Sequence, residues 1–444
     1  MNAPCKSIYN SVAHLMKTYD CIIVGTGPAG LGAAFRLSDK KPTLRILVID
    51  KEKLCTGGLR HDCKMNFTYP VGFPVDCWTS EQAEHYLPMV VERLNPEFMQ
   101  RSDLETYQQR AERLGVSLLD IRQSHLGTDG GLQLIKRLMD ELTSRNVEVS
   151  LEETVNDIDP AARRIITSRR EIGYQDLILA PGRGGFRFLQ RAMAKAGIPF
   201  LDNVVDIGIR VETREERFSI VRDYYDPKFN FPERVRTFCT NSGAAYVVRE
   251  RYETRDGREY FSVNGHAYSS SRPRNGMVNF ALLKTVALTE PLASGQDFAE
   301  MLGCQAMLLG GNNPIMQRVG DFRLGKRSEA RTFNRDLYDF EPTLPDCTAG
   351  DISLAMPAKI LKPIWSAMKM LDTIVPGVLH PGTIMYYPEI KLYANKPRFI
   401  DEYFKAAENI YLVGDGAGTS RGITGAWASG IRAAEGLINE KCKM

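Results

Sequence analysis

Two stretches near opposite ends of the chain share one pattern: a short unbroken apolar run, a glycine-rich turn, then a helical sequence. The first run is residues 21–24, suited to a buried parallel strand, with a helix from Ala29. The second is residues 410–413, with a helix starting near Ile423. A further apolar strand, residues 45–49, ends in Asp50. Residues 147–182 read as short strands separated by turn residues, the last an apolar strand entering Ala180, Pro181 and Gly182. Residues 82–119 read as a helical excursion. In the middle of the chain "EIKLY" (389–393) alternates as a strand does, whereas "NGHAYSSSRPRNGMVNF" and "LGGNNPIMQRVGDF" read as loops.

The first turn carries chemistry. Gly25, Gly27 and Gly30 have the G-x-G-x-x-G spacing between a strand and a helix. Gly25 permits the tight turn, Gly27 lets a pyrophosphate approach the backbone, and Gly30 lets helix and strand pack closely. The helix start, with Pro28 and Ala29, offers free N–H groups and a positive dipole end to phosphates. Asp50, followed by Lys51, stands 25 residues after the first glycine, where an acid can accept from a ribose hydroxyl. Strand, loop, helix, strand and acid in register point to a dinucleotide, either FAD or NAD.

Composition narrows the classes. A chain of 444 residues exceeds one ordinary core, and about 150 residues per domain suggests two or three units. The balance of 43% apolar and 25% charged residues is that of a soluble globular protein, and the dinucleotide motif adds the expectation of a small-molecule substrate, with no nucleic acid or membrane partner. A net charge of +3, with basic residues scattered among acidic ones, is too weak to argue for nucleic acid. No apolar run reaches the roughly 18 residues that span a bilayer. Residues 1–17 lack a signal peptide's apolar stretch and read as an N-terminal extension on a cytoplasmic protein. Nine cysteines without a C-x-x-C pair look like neither a zinc site nor a disulfide framework, so no metal is expected.

Gly414 and Asp415, after the last strand, resemble the Gly-Asp pair of FAD-binding proteins of the glutathione-reductase type, whose aspartate binds the ribityl chain. That resemblance selects FAD over NAD. It implies a Rossmann-like α/β domain of that type assembled from residues 18–80, 120–195 and 400–444, with an inserted mixed α+β substrate domain at 200–399. Within it Gly58, Val155, Ala180, Gly182, Gly422, Ile423 and Gly425 join the cofactor-binding residues, Val155 against the adenine and the late glycines admitting the isoalloxazine edge. "SHLGTDGG", "APGRGG", "NVVDIGIRVE", "VRTFC", "VNGHAY", "QRVGDFRLGKRS", "PTLPDCTAGDISLAMP", "YYPEIKLY" and "GDGAG" follow in order. Together they are similar to a poorly characterised bacterial and archaeal family of NAD(P)/FAD-dependent dehydrogenases. One departure stands in "TGGLRHDCKMNF", where His61 and Cys63 replace the serine and glycine of the family's S-D-G-K, while Asp62 and Lys64 keep their places.

The resemblance implies an FAD-dependent oxidoreductase reducing a C=C or C=N bond or running the reverse dehydrogenation, with NADH or NADPH as a transient electron donor. Candidate catalytic residues are His61, Lys64, His266, Glu389, Lys391 and Arg421. Lys64 is also read as a partner for FAD or a carboxylate, and His125 as a cap on the "GTDGG" turn. Glu389 and Lys391 point the same way along one strand, as an acid and a base in one pocket or as a buried ion pair. Three alternatives stand beside this reading. A disulfide reductase would use Cys55 and Cys63, but no second nucleotide fingerprint accompanies them. A flavin monooxygenase or oxidase, and a non-enzymatic binding protein on the same fold, are the others.

Overall fold

The computed structural model describes residues 16–54, 58–202, 204–269, 271–288, 294–335, 337–392 and 395–442. Two eight-stranded sheets organise it into a mixed α/β protein. In the first, Thr18–Val24 lies between Ile46–Ile49 and Glu171–Leu179, all parallel, with Ile410–Leu412 and Glu148–Ser150 added outside them. Cys21 and Ile23 pack into the core on one face, Ile22 and Val24 into that on the other. A strand covered on both faces has no polar side to show, which is why these runs are continuously apolar. The antiparallel strands Val155–Asp159 and Arg164–Thr167 lead into Glu171–Leu179. On one face the helices Pro28–Lys40 and Ile423–Lys441 lie against each other with backbones in contact, for a Cβ at Gly430 would overlap the Ala29 carbonyl.

The second sheet runs Thr348–Ala349, Ile315–Arg318, Ile384–Leu392, Val205–Arg214, Met277–Val286, Val235–Asn241, Lys228–Phe231 and Ser117–Leu119, antiparallel after its first pair. Ile207, Ile209 and Val211 face the helix Ala358–Ile374 in one core. The intervening Gly208, Arg210 and Glu212 face the other side, on which the hairpin Ala244–Glu253 and Glu259–Tyr268 packs.

Three expectations are corrected. The excursion at 82–119 is helical only over Ser80–Leu94 and Leu104–Glu112, and its end, Ser117–Leu119, closes the edge of the second sheet. "NGHAY" is not loop but the end of the hairpin strand Glu259–Tyr268, and "MVNF" opens the strand Met277–Val286. "PIMQRVGDF" contains Ile315–Arg318 and the short helix Val319–Arg323. In the last two, glycine and asparagine read as turn punctuation stand where packing needs small or hydrogen-bonding groups.

Candidate active site

Three strand ends of the first sheet meet at one edge. Thr18–Val24 runs into the turn with Gly25 at φ +109, and Gly30 sits directly on Gly25, whose carbonyl a Cβ at residue 30 would overlap. Gly27 is different: nothing lies within 4 Å of the place a Cβ would take. Gly182, after the neighbouring strand, and Gly422, before the last helix, likewise face open space. The helix Pro28–Lys40 has no side-chain cap, so its first N–H groups are left for an anion. Asp50 is buried at the end of the next strand, where Oδ2 accepts from Thr26 N at 2.7 Å and Thr26 Oγ1 at 2.6 Å. Its Oδ1 accepts from Glu52 N at 3.0 Å and keeps a second acceptor direction. Asp415 closes the opposite loop, accepting from Ser420 Oγ at 2.9 Å and Gly422 N at 3.2 Å, with Arg183 Nε 3.6 Å away. An open glycine backbone, an uncapped helix start and a buried carboxylate form a cradle that fits FAD.

Behind the start of the last helix lies a buried polar ladder that joins a two-stranded ribbon to the second sheet. The ribbon Lys64–Asn66 and Gln123–His125 carries its first rung. Asp62 accepts from His125 Nε2 at 3.0 Å and Ala267 N at 3.1 Å, and pairs with Lys64 Nζ at 3.1 Å. Lys64 Nζ also reaches the Thr240 carbonyl and donates to Asn241 Oδ1 at 2.6 Å. From there Asn241 Nδ2 donates to Asn279 Oδ1 at 3.1 Å, and Arg210 donates to the same oxygen from Nε at 3.0 Å. Arg210 also donates to the Cys239 carbonyl at 2.6 Å and to Glu389 at 3.1 Å. Lys391 ends the ladder, 3.4 Å from Glu389 and 2.9 Å from Glu250. A register break between Phe238 and Asn241, with Cys239 at φ +49, turns two successive carbonyls toward the two cations.

Electrostatics follow from burial and pairing. Burial alone would raise the Asp62 carboxyl, but Lys64 and His125 outweigh it and hold it well below the usual carboxylate range. Burial opposes the charge on Lys64 too, and Asp62 more than restores it, so the ammonium stays protonated. Burial pushes the Tyr225 phenol up, and its ring stacks on His125 with centroids 4.7 Å apart.

The predicted residues separate into groups. Lys64, Glu389 and Lys391 stand on the ladder. Lys64 holds the Asp62 carboxylate, one of the two roles read for it, and Glu389 and Lys391 form, with Arg210, the buried ion pair that was the second reading of their alternation. His266 lies on the hairpin face opposite Gly265 and Ala267, away from the ladder. Arg421 donates its backbone N–H to the Gly72 carbonyl. Gly425 faces no cofactor space: a Cβ there would overlap the Gly72 carbonyl, so its role near the flavin is corrected to backbone packing. Pro28 and Ala29 open the first helix, and Ile423 packs against Gly58. Ala180 and Val155 are core residues, and Lys51 is exposed. His125 partners Asp62 rather than capping the turn. The His61 side chain and Cys55 lie outside the described residues, whereas Cys63 is a buried free thiol pushed up to about 12 by burial. Arg210, Asn241, Asn279 and Tyr225 were missed. Only Arg210, a cation inside the apolar run "VVDIGIRVE", left a trace in the sequence.

Residues 19–207 match the sequence profile of the pyridine nucleotide-disulphide oxidoreductases. An uncharacterised protein of Clostridium beijerinckii is 23% identical over 353 residues, covering 72% of this chain and 62% of its own. One of Methanosarcina barkeri is 38% identical over 76 residues, 16% of this chain and 19% of that protein. The chain thus spans less than two thirds of either relative. Among solved structures, p-nitrophenol 4-monooxygenase from Pseudomonas putida aligns over 96% of this chain and 82% of its own, at 13% identity and a TM-score of 0.42. The profile match falls on the cradle. Among the described residues no helix is long and apolar enough to cross a membrane.

Proposed function

We propose that the protein transfers hydride between flavin N5 and a small organic substrate, reducing a C=C or C=N bond or running the reverse dehydrogenation. In this reading the FAD domain is of the glutathione-reductase type, built from residues 18–80, 120–195 and 400–444. Residues 200–399 meet the substrate, and the chain stands with the NAD(P)/FAD-dependent dehydrogenases it resembles. The observation that carries it is the junction itself: the open cradle of one sheet abuts a buried ladder to which the second sheet contributes Arg210, Asn241 and Asn279. Residues 25–30 would hold the pyrophosphate, Asp50 a ribose hydroxyl, and Asp415 the ribityl chain near Gly422. Bound there, FAD supplies the two-electron chemistry that no side chain carries. The chain's own part is to orient the substrate, exclude water and move a proton. The described cysteines are free thiols, in keeping with a reducing, cytoplasmic setting.

The test is direct. Purified protein should be yellow and release FAD on denaturation. Anaerobic titration with NADH and with NADPH should bleach it, and an unsaturated carbonyl or an imine should restore the colour. A colourless protein, or a flavin that neither donor bleaches and neither acceptor reoxidises, overturns the reading.

A further inference from the structure

We infer that His125, oriented by Asp62, is the group that exchanges a proton with the substrate. The inference rests on the flavoprotein reading above and assigns the proton-handling role within it.

The geometry starts with tautomer. An ionised carboxylate only accepts hydrogen bonds, and Lys64, His125 and the Ala267 N–H together keep Asp62 ionised. His125 Nε2 therefore carries the proton it shares with Asp62 Oδ1 at 3.0 Å. That leaves Nδ1 of the neutral ring with a lone pair, the arrangement of a carboxylate-oriented general base. The ring cannot turn freely. Tyr225 stacks on it at 22°, and the backbone is fixed by pairing with Lys64 in the ribbon. A second observation points the same way: the Tyr225 hydroxyl is buried and has no partner among the described residues, so a donor stands unmet beside the ring. The titratable groups that touch the imidazole are Asp62, just before the ribbon strand Lys64–Asn66, and Tyr225; Lys64 and Cys239 stand behind Asp62, and Asp226 beside Lys64.

Location completes the argument. The ribbon follows the helix Gly58–His61, which packs on Ile423 at the start of the last helix, one residue after the open Gly422. The last helix also packs against that ribbon, whose Lys64 pairs with His125, and in this reading the imidazole accordingly stands at the flavin end of the cradle. In dehydrogenation Nδ1 takes the proton from a substrate N–H, where a C=N bond forms, or from an acidic C–H, where a C=C bond forms, while the adjacent carbon loses hydride to the cofactor. The substrate loses two electrons and two hydrogens, and the ring becomes imidazolium. Reduction runs the same transfers backwards.

The experiment uses full-length holoprotein, photoreduced and mixed anaerobically with menadione, which takes up protons with its electrons, or with ferricyanide, which takes up electrons alone. In His125→Gln the FAD content and the ferricyanide rate should match the parent, and the menadione rate should fall about 10²-fold. Nitrogen-15 spectra of histidine-labelled holoprotein should show His125 as the Nε2–H tautomer, and Asp62→Asn should change that tautomer, which a merely structural contact would not do. FAD bound with equal menadione rates in parent and His125→Gln overturns the inference alone, as does an Nδ1–H tautomer in the parent. So does a menadione defect found in His61→Ala but not in His125→Gln. Absence of FAD overturns the flavoprotein reading first, and this inference with it.

Discussion

Gly265 has no side chain because Arg210 occupies the space. A Cβ there would overlap Arg210 Nη2, Asn279 Oδ1 and Asn241 Nδ2, the middle of the ladder. Arg210 and Glu389 are both fully buried, and a buried ion is tolerated only while its partners hold it. Gly265→Ala should therefore cost about 2 to 4 kcal/mol, since the added methyl both overpacks the site and displaces a buried charge. Urea unfolding measures this. A loss near the few tenths typical of a surface change would show that the ladder can shift. The residue scale also explains why the sequence misread "NGHAY": a glycine demanded by a guanidinium 55 positions earlier is indistinguishable, locally, from one demanded by a turn.

Among elements, the junction of residues 411–430 is the clearest case. Its glycines were expected to face a flavin edge; Gly422 opens onto free space, whereas Gly425 lets the last helix close on the loop at Gly72. Arg421 N donates to that loop at 2.9 Å and Trp78 Nε1 donates back to the Thr419 carbonyl at 2.7 Å. Gly425→Ala should then lower the melting temperature by several degrees, for a cost of about 1 to 3 kcal/mol, and leave the reduction potential of bound flavin unchanged. A shifted potential at unchanged melting temperature would return Gly425 to the cofactor. The meander offers a test in acid. Burial would raise Glu153, but hydrogen bonds from Arg170, Ser150 and Thr167 outweigh it and hold the carboxyl at about 2. A folded pKa below the unfolded one contributes stability that is complete above the unfolded value and lost as pH falls through the folded one. Stability should therefore decline from about pH 4.5 toward pH 2, and Glu153→Gln should flatten that decline in unfolding midpoints. An unchanged acid slope would assign it to other carboxylates such as Asp62.

For the whole molecule, the ladder ties the ribbon Lys64–Asn66 and Gln123–His125 to the second sheet. Lys64 belongs to the ribbon beside the cradle and Asn241 to the second sheet, and their side chains meet at 2.6 Å. A double-mutant cycle on Lys64→Met and Asn241→Leu should give a coupling of about 1 to 3 kcal/mol, whereas the exposed pair Arg163 and Glu408 should give close to none. A cycle near zero would mean that the ribbon and the second sheet hold together through apolar packing alone.

The sequence by itself determined what is local. The buried strands, the turn at Gly25, the uncapped helix behind it and Asp50 lie within some thirty consecutive residues, so backbone sterics and a short hydrophobic run were enough to read them. Tertiary structure alone decided the rest. Asp62 finds His125 across 63 positions and Arg210 finds Glu389 across 179, through strand registers that no spacing encodes. Whether a glycine faces open space, as Gly422 does, or another backbone, as Gly425 does, depends on what packs against it. That is a property of the assembled sheets, because only their packing removes water from a charge and chooses its partner.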